Sequence, residues 1–222
     1  RATIEMWATD GTTGTTVKIS PSAPFRVKSH TLSPYGNKFY FDGTEGTSGI
    51  EPWVSDGTSG GTYRLVDATP GASGSATTWL GQIGTDVYFI NNGQLWKTDG
   101  TAIGTVSVKS GFLTTPSQAF ITKLGGKFIF TAQTAAEGVE AWISDGTNGG
   151  TILLKDICPG TCSGATQALN FVANGSKIYF SGNDGTNGFE LWESDGTEAG
   201  TKMRFDINPG SASSSAASLK VI

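Results

Sequence analysis

The sequence predicts an all-β fold, on the strength of three observations. The chain of 222 residues contains 32 glycines and 12 phenylalanines. It is too aromatic for a disordered chain, and its glycines lack the three-residue period of collagen. Long stretches lack the i, i+3, i+4 apolar spacing of an amphipathic helix. Short aromatic and β-branched runs bounded by glycine turns recur instead, and such runs favour strands.

A repeated motif divides the chain into units of 43 to 50 residues. Five tryptophans are each followed, three positions later, by an Asp-Gly-Thr triplet and then by a second Gly-Thr pair. The tryptophans are Trp7, Trp53, Trp96, Trp142 and Trp192, the aspartates are Asp10, Asp56, Asp99, Asp145 and Asp195, and the second pairs end at Thr15, Thr62, Thr105, Thr151 and Thr201. Because the tryptophans and aspartates recur so regularly, they are predicted to have a structural role.

Each unit is predicted to contain four strands, a to d. Strand a precedes a glycine turn, as at 120–124 before Gly125-Gly126 and at 169–173 before Asn174-Gly175. These pairs are expected to supply the positive φ that a tight hairpin requires. Strand b is the aromatic run, found at 38–41, 87–90, 127–130 and 177–180. Strand c carries the tryptophan, and strand d follows the second Gly-Thr. Four antiparallel strands in each such unit are typical of a β-propeller blade.

The count of strands predicts a five-bladed β-propeller, or a segment of one, as a single repeat domain over 1–222. We assign a partial blade to 1–25, blades to 26–67, 68–110, 111–157 and 158–207, and a final strand to 208–222. The closing blade then lacks its second strand. Residues beyond Ile222, further blades of a longer propeller, or a strand from another molecule would each supply it, and the last would produce a head-to-tail polymer.

Two segments carry a family resemblance. Glu190-Leu191-Trp192 through Gly210, and Trp142 through Gly160, resemble the ELWxxDGT repeats of bacterial secreted and surface proteins, sometimes called hyalin-like. The resemblance covers essentially the whole chain and departs at Gln94, at Ile19-Ser20 and at Lys109-Ser110. It implies a propeller-like extracellular repeat domain and no single activity.

The glutamates two positions before the tryptophans are expected to hydrogen-bond to neighbouring turns. They are Glu5, Glu51, Glu140 and Glu190. Trp53, Trp142 and Trp192 are predicted to be buried between adjacent blades, because a large ring that recurs with a repeat more often packs than binds. An exposed indole would instead favour a platform for stacking sugars.

Cys158 and Cys162 are predicted to form a disulfide rather than remain free thiols. A secreted repeat protein favours the bridge, and a metal site would need more ligands than this loop offers. Asn174 begins the one Asn-x-Ser/Thr sequon and is a candidate for glycosylation.

The loops between strands b and c suggest calcium as a ligand. Asp42 and Glu45 in one loop, and Asp184 and Asn187 in another, offer hard oxygen ligands, although their spacing is not that of an EF-hand. The competing interpretation is that these side chains satisfy turn amides. No cofactor is required by the sequence.

Composition narrows the classes of function. The net charge of −4 without a clustered basic face argues against nucleic-acid binding. No apolar run approaches the roughly 18 residues of a membrane span. The single histidine, His30, has no partner motif, and the sequence carries no hydrolase or phosphate-binding signature. The chain is therefore not predicted to be an enzyme.

These observations predict an extracellular or cell-surface module with a structural or adhesive role. Its expected partners are other copies of itself or neighbouring domains of the same polypeptide. A carbohydrate-binding propeller that takes glycans is the first alternative. A non-catalytic domain of a larger secreted enzyme is the second.

Overall fold

The computed structural model describes residues 5–21, 25–28, 33–46, 48–74, 77–113, 121–165, 171–214 and 219–221. Nineteen strands lie in these ranges. The same ranges contain no helix, and thus none that would span a membrane. The chain divides into two compact units, residues 1–92 with 96–107 and residues 93–95 with 108–222. His30 lies outside the described residues.

The strands are short, most of them between two and seven residues long. They are β1 (Trp7–Ala8), β2 (Val17–Lys18), β3 (Phe25–Val27), β4 (Ser33–Tyr35), β5 (Lys38–Glu45), β6 (Glu51–Ser55), β7 (Tyr63–Arg64), β8 (Thr78–Ile83), β9 (Asp86–Asn91), β10 (Gln94–Thr98), β11 (Val106–Ser110), β12 (Thr122–Leu124), β13 (Lys127–Gln133), β14 (Val139–Ser144), β15 (Ile152–Lys155), β16 (Val172–Asn174), β17 (Lys177–Asn183), β18 (Phe189–Ser194) and β19 (Lys202–Phe205).

The sheets follow the predicted order of strands. Three four-stranded sheets take β8 to β11, β12 to β15 and β16 to β19, each in sequential order. Strands β3, β5, β6 and β7 form another sheet, with β4 also paired to β5, and β1 pairs with β2 alone. The predicted all-β fold of four-stranded antiparallel sheets is therefore confirmed.

Two strand predictions differ from the structure. Strand a of the first full unit is divided, because β3 pairs with the end of β5 through Phe25 and Glu45 while β4 pairs with its start through Tyr35 and Lys38. The predicted final strand is absent from the described part of 208–222, where 208–214 and 219–221 form none. A strand exists only with a ladder partner, and none of the described residues supplies one there.

The hairpins between strands a and b have two-residue loops. Leu124 pairs with Lys127 around Gly125, and Asn174 pairs with Lys177 around Gly175. Both glycines have a φ of 61°, whereas the second loop residues keep negative φ, as in a type II′ turn. Gly125 and Gly175 thus supply the predicted positive φ, whereas Asn174, predicted to lie in the turn, ends β16 instead.

The core lies between the faces of the sheets. In the second unit, Ile129, Ala141 and Ile143 of the β12–β15 sheet pack in one cluster with Phe180 and Trp192 of the β16–β19 sheet. Burial on both faces explains why the strand b runs are almost continuously apolar rather than alternating.

Candidate functional site

The Asp-Gly-Thr turns are closed by their own side chains. Asp145 Oδ1 accepts hydrogen bonds from the backbone N–H of Thr147 at 2.9 Å and from its hydroxyl at 2.7 Å. Thr147 Oγ1 accepts in turn from the N–H of Gly150 at 3.0 Å. The hydroxyl and backbone bonds from Thr147 hold the pKa of Asp145 below its usual value. The same pattern recurs at Asp56, Asp99 and Asp195.

A buried pair of hydroxyls lies beneath four of the five turns. Ser144 Oγ and Thr151 Oγ1 are 2.7 Å apart, and Thr151 also donates to the carbonyl of Thr147 at 2.6 Å. Equivalent pairs join Ser55 to Thr62, Thr98 to Thr105, and Ser194 to Thr201. The carboxylate and both hydroxyls are thereby occupied within the turn.

The first turn uses a different threonine from the other four turns. Thr16, and not Thr15, contacts Thr9 as Thr151 contacts Ser144, at 3.0 Å. Thr15 instead occupies the position of Gly150 and donates its hydroxyl to Asp10. The Gly14-Thr15 pair thus lies one position nearer to its tryptophan than the corresponding pair of the other four repeats.

The glycine before the last threonine of each turn leaves room for the aspartate. A Cβ atom at Gly150 would lie 2.0 Å from Asp145 Oδ1. Gly61, Gly104 and Gly200 face their own aspartates in the same way. This requirement is steric, because φ at these positions is not positive.

Gly150→Ala is expected to lower the free energy of unfolding by more than Gly149→Ala does, since the aspartate must move and lose its bonds to Thr147. Gly149→Ala is the matched control, because nothing lies within 4 Å of its Cβ position. That control should change stability by less than about 1 kcal/mol. Chemical denaturation of both variants measures the difference, and equal losses would contradict the steric argument.

Three of the repeated glutamates are fully buried and bind backbone N–H groups. Glu140 accepts from Gly164 at 2.7 Å, from Ile157 at 3.2 Å and from Cys158 at 3.3 Å. Glu51 accepts from Ala68 at 2.8 Å. These bonds are the turn contacts that the sequence predicted, and they hold the segment that follows strand d.

The remaining two glutamates, Glu190 and Glu5, differ in burial. Glu190 is also buried and accepts from Ile207 at 2.8 Å and from Ser214 at 2.9 Å. Glu5 is exposed and forms an ion pair with Lys18 at 2.5 Å instead.

Burial and hydrogen bonding have opposite effects on the pKa of these carboxyl groups. Loss of water raises the pKa of Glu140 to about 7, despite the three N–H donors that favour its charged form. Burial likewise raises the pKa of Glu51. At Glu190, burial also favours the neutral form, but the bonds from Ile207 and Ser214 outweigh it and lower the pKa.

The tryptophans are buried in three of the five repeats. Trp53, Trp142 and Trp192 are 2%, 7% and 5% exposed. The predicted burial of these three indoles is confirmed, and Trp192 belongs to a cluster that includes Ile129 and Ala141 of the preceding sheet.

Phenylalanines near strand a also cover the indoles, a role that the sequence analysis missed. The ring of Phe112 lies 5.1 Å from that of Trp142, and the ring of Phe25 lies 4.9 Å from that of Trp53. An aromatic residue shortly before strand a was the available signal.

Trp7 and Trp96 differ from the other three. Trp96 is half-buried and stacks on Phe89 at 6.2 Å. Trp7 is 57% exposed. Its strand pairs with β2 alone, and among the described residues no strand b supplies a phenylalanine opposite it. The repeated motif therefore does not give all five indoles one environment.

Cys158 and Cys162 are joined by a disulfide, as predicted, with their Cα atoms 5.3 Å apart. Cys158 is buried and Cys162 is exposed. A Cβ atom at Gly185 would lie 2.9 Å from Cys158 Sγ. The bridge therefore packs against the loop between β17 and β18.

The mass of the unreduced protein is expected to be two hydrogens below that of the dithiol form. Reduction should lower the free energy of unfolding by about 2 kcal/mol or less, because a short closed loop removes little entropy from the unfolded chain. Mass spectrometry and denaturation with and without reductant measure these effects. Complete alkylation without reductant would contradict the bridge.

The two candidate calcium ligands of the first loop lie on opposite faces of a strand, whereas those of the second loop bind each other. Asp42 is buried on β5 and accepts from Thr77 N–H at 3.0 Å, whereas Glu45 is exposed three positions along the strand, on the opposite face. Asp184 accepts from the N–H and the side-chain amide of Asn187, each at 2.8 Å. In the described ranges no three His, Cys, Asp or Glu side chains converge as metal ligands would. Hydrogen bonds within the turn occupy the polar side chains of Asp184 and Asn187.

Asn174 is exposed at the end of β16, next to its hairpin turn. The side chain is accessible to a modifying enzyme, and its glycosylation stays a prediction.

Among the described residues, those on one face of the last sheet are only partly covered. Ile207 is 56% exposed, whereas Ile157, at the same position of the preceding repeat, is 3% exposed. Phe205 is also exposed. Tyr179 and Leu191 on this face are half-buried. We call Tyr179, Leu191 and Ile207 the open face.

Several solved structures are similar to this chain at sequence identities below 20%, and at such identities the similarity is evidence for the fold alone. A structure of puromycin hydrolase is similar with a TM-score of 0.53 and 16% identity, over 90% of this chain and 31% of that chain. Its S511A mutant complexed with PGG gives 0.52 and 16%, over 86% and 30%. TolB from Acinetobacter baumannii gives 0.46 and 18%, over 92% and 49%. The chain thus spans less than a third of the puromycin hydrolases.

No protein-family model matches the sequence, and no curated protein matches it. Sheet order and structural neighbours together define the class: an all-β protein of four-stranded antiparallel sheets with propeller-like neighbours.

Proposed function

We propose that this chain is an extracellular structural or adhesive repeat module that joins copies of itself head to tail. The supporting observation is a contrast in how side chains are used. The turn aspartates and the three buried glutamates are hydrogen-bonded within the chain. Trp7 and Ile207, in the first and last repeats, expose apolar surface at positions that are buried in other repeats. Exposed apolar surface of this kind suits protein contacts.

The disulfide supports the extracellular location. Such bridges persist in oxidising compartments and are rare in the cytosol. The exposed sequon at Asn174 is compatible with the same location. The likeness to secreted and surface repeats points the same way.

Light scattering on size-exclusion fractions tests self-association. The oxidised protein is expected to grow in steps of 23.0 kDa as its concentration rises. A constant mass of one chain at every concentration would contradict the proposal.

Exposure of Trp7 favours a second candidate, a carbohydrate-binding module. An accessible indole offers an apolar face on which a sugar ring can stack. Saturable binding on a glycan array that Trp7→Ala abolishes would support this candidate. Binding that the variant leaves unchanged would contradict it.

The puromycin hydrolases suggest a third candidate, a non-catalytic domain of a larger secreted enzyme. The matched region forms 30 to 31% of those chains. The complete gene product tests the idea, because a catalytic motif such as Gly-x-Ser-x-Gly elsewhere in it would favour this role.

A further inference from the structure

The contact between the two sheets of the second unit defines what each repeat presents to the next. The β12–β15 sheet contributes Ile129, Ala141 and Ile157, all of them at most 3% exposed. The β16–β19 sheet covers them with the side that carries Phe180 and Trp192. One face of a sheet therefore receives the tryptophan side of the sheet that follows it.

The open face of β16–β19 repeats these receiving positions. Tyr179, Leu191 and Ile207 stand where Ile129, Ala141 and Ile157 stand in the preceding repeat. Of the described residues, those at 219–221 lie beside this face, in a cleft shared with Tyr179 and Leu191. This segment therefore covers part of Tyr179 and Leu191, whereas Ile207 stays 56% exposed.

The β1–β2 repeat has the complementary side uncovered. Met6 packs on the cluster around Trp53, so one face of this repeat is in use within the first unit. Trp7 lies on the other face, at the position of Trp192, and is 57% exposed. Val17 on β2 is also exposed.

Polar contacts in the first unit show how a lysine completes such an interface. Lys38 Nζ donates to the carbonyl of Gly100 at 2.9 Å, and the Tyr63 hydroxyl donates to the same atom at 2.7 Å. Gly100 belongs to the Asp-Gly-Thr turn of the following repeat. Lys177 occupies the position of Lys38 in the last sheet and is partly exposed, in an ion pair with Glu193. The first turn offers the corresponding carbonyl at Gly11, beside the negative charge of Asp10.

We propose that the open face of one copy binds the β1–β2 repeat of a second copy. Trp7 packs on Tyr179 and Leu191, Ile207 borders the contact, and Lys177 donates to the Asp10-Gly11 turn. This inference rests on the self-association proposed above and specifies its surface. The two patches differ, so the contact is heterologous and repeats from copy to copy.

Two variants, each defective in one patch, test the pairing. Trp7→Ala damages only the β1–β2 side, and Ile207→Asp damages only the open face. Both side chains are more than half exposed, so neither change removes core packing. Ile103→Asp is the control, because Ile103 is 95% exposed on a different turn. Circular dichroism and thermal unfolding verify that all three variants fold.

Light scattering should show that each single variant associates about tenfold or more weakly than wild type, while Ile103→Asp associates normally. An equal mixture of Trp7→Ala and Ile207→Asp should form dimers of twice 23.0 kDa and nothing longer, because one intact pair of patches remains.

Other results would overturn the inference in distinguishable ways. Wild-type association that both variants retain would reject this surface but leave the proposed function standing. A mixture that forms no dimer would reject the heterologous pairing. Wild type that stays monomeric at every concentration would reject the proposed function and this inference together.

Discussion

Trp142→Ala is expected to lower the free energy of unfolding by about 3–5 kcal/mol, because it opens a cavity in the core. The indole is 7% exposed and meets the edge of Phe112 at a centroid distance of 5.1 Å. Denaturant titration followed by circular dichroism measures the change. Circular dichroism is used because the variant lacks one of the six tryptophans, which alters its fluorescence signal. An unchanged m-value would show that the loss reflects stability alone.

Trp7→Ala provides the internal comparison for this result. The same substitution at an indole that is 57% exposed should change stability by less than about 1 kcal/mol. Equal losses at both positions would mean that Trp7 is buried in solution. The description of the first repeat would then be wrong.

A second large effect is expected from the pH dependence of stability. The pKa of Glu140 lies near 7 in the folded chain, against an ordinary value of 4.5. The folded state therefore binds this proton more tightly than the unfolded state. The resulting stabilisation is complete below about pH 4.5 and is lost as the pH rises to about 7. It amounts to about 3 kcal/mol, at about 1.4 kcal/mol for each unit of pKa difference.

Glu140→Gln should flatten this slope, because the amide does not titrate. Glu190→Gln is the matched control, since the folded-state pKa of Glu190 is lowered and its contribution has the opposite sign. Denaturation midpoints between pH 4 and 8 measure both slopes. An unchanged slope in Glu140→Gln would show that the hydrogen bonds from Gly164 and its neighbours outweigh burial.

Strands b and c followed directly from the local pattern. Their aromatic runs are bounded by glycine turns and paired by short hairpins, so the residues that decide the structure are close in sequence. Phe130 pairs with Trp142, and Phe180 with Trp192, within single hairpins. Strand a was predicted less well, because β3 and β4 are separated by a segment that no local pattern marked.

Only part of the candidate site could be predicted from the same sequence pattern. The five aspartates were identified by repetition, and their turn bonds follow from the short reach of an Asp side chain. The difference between Thr15 and Thr16 was not identified, because it depends on which hydroxyl reaches Thr9 across the turn. The calcium hypothesis placed Asp42 in a loop, whereas β5 continues to Glu45 and separates the two carboxylates.

The amino-acid pattern was sufficient for the all-β class, the order of the strands and the Cys158–Cys162 bridge, since each depends on residues within one repeat. Tertiary packing decided which copies of a repeated residue are buried. Trp7 and Trp192 share a motif, as do Ile157 and Ile207, yet their exposures differ several-fold. Burial depends on which residues the neighbouring sheet covers. The sequence of a repeat is the same whether or not another sheet packs against it, so the sequence alone does not predict burial.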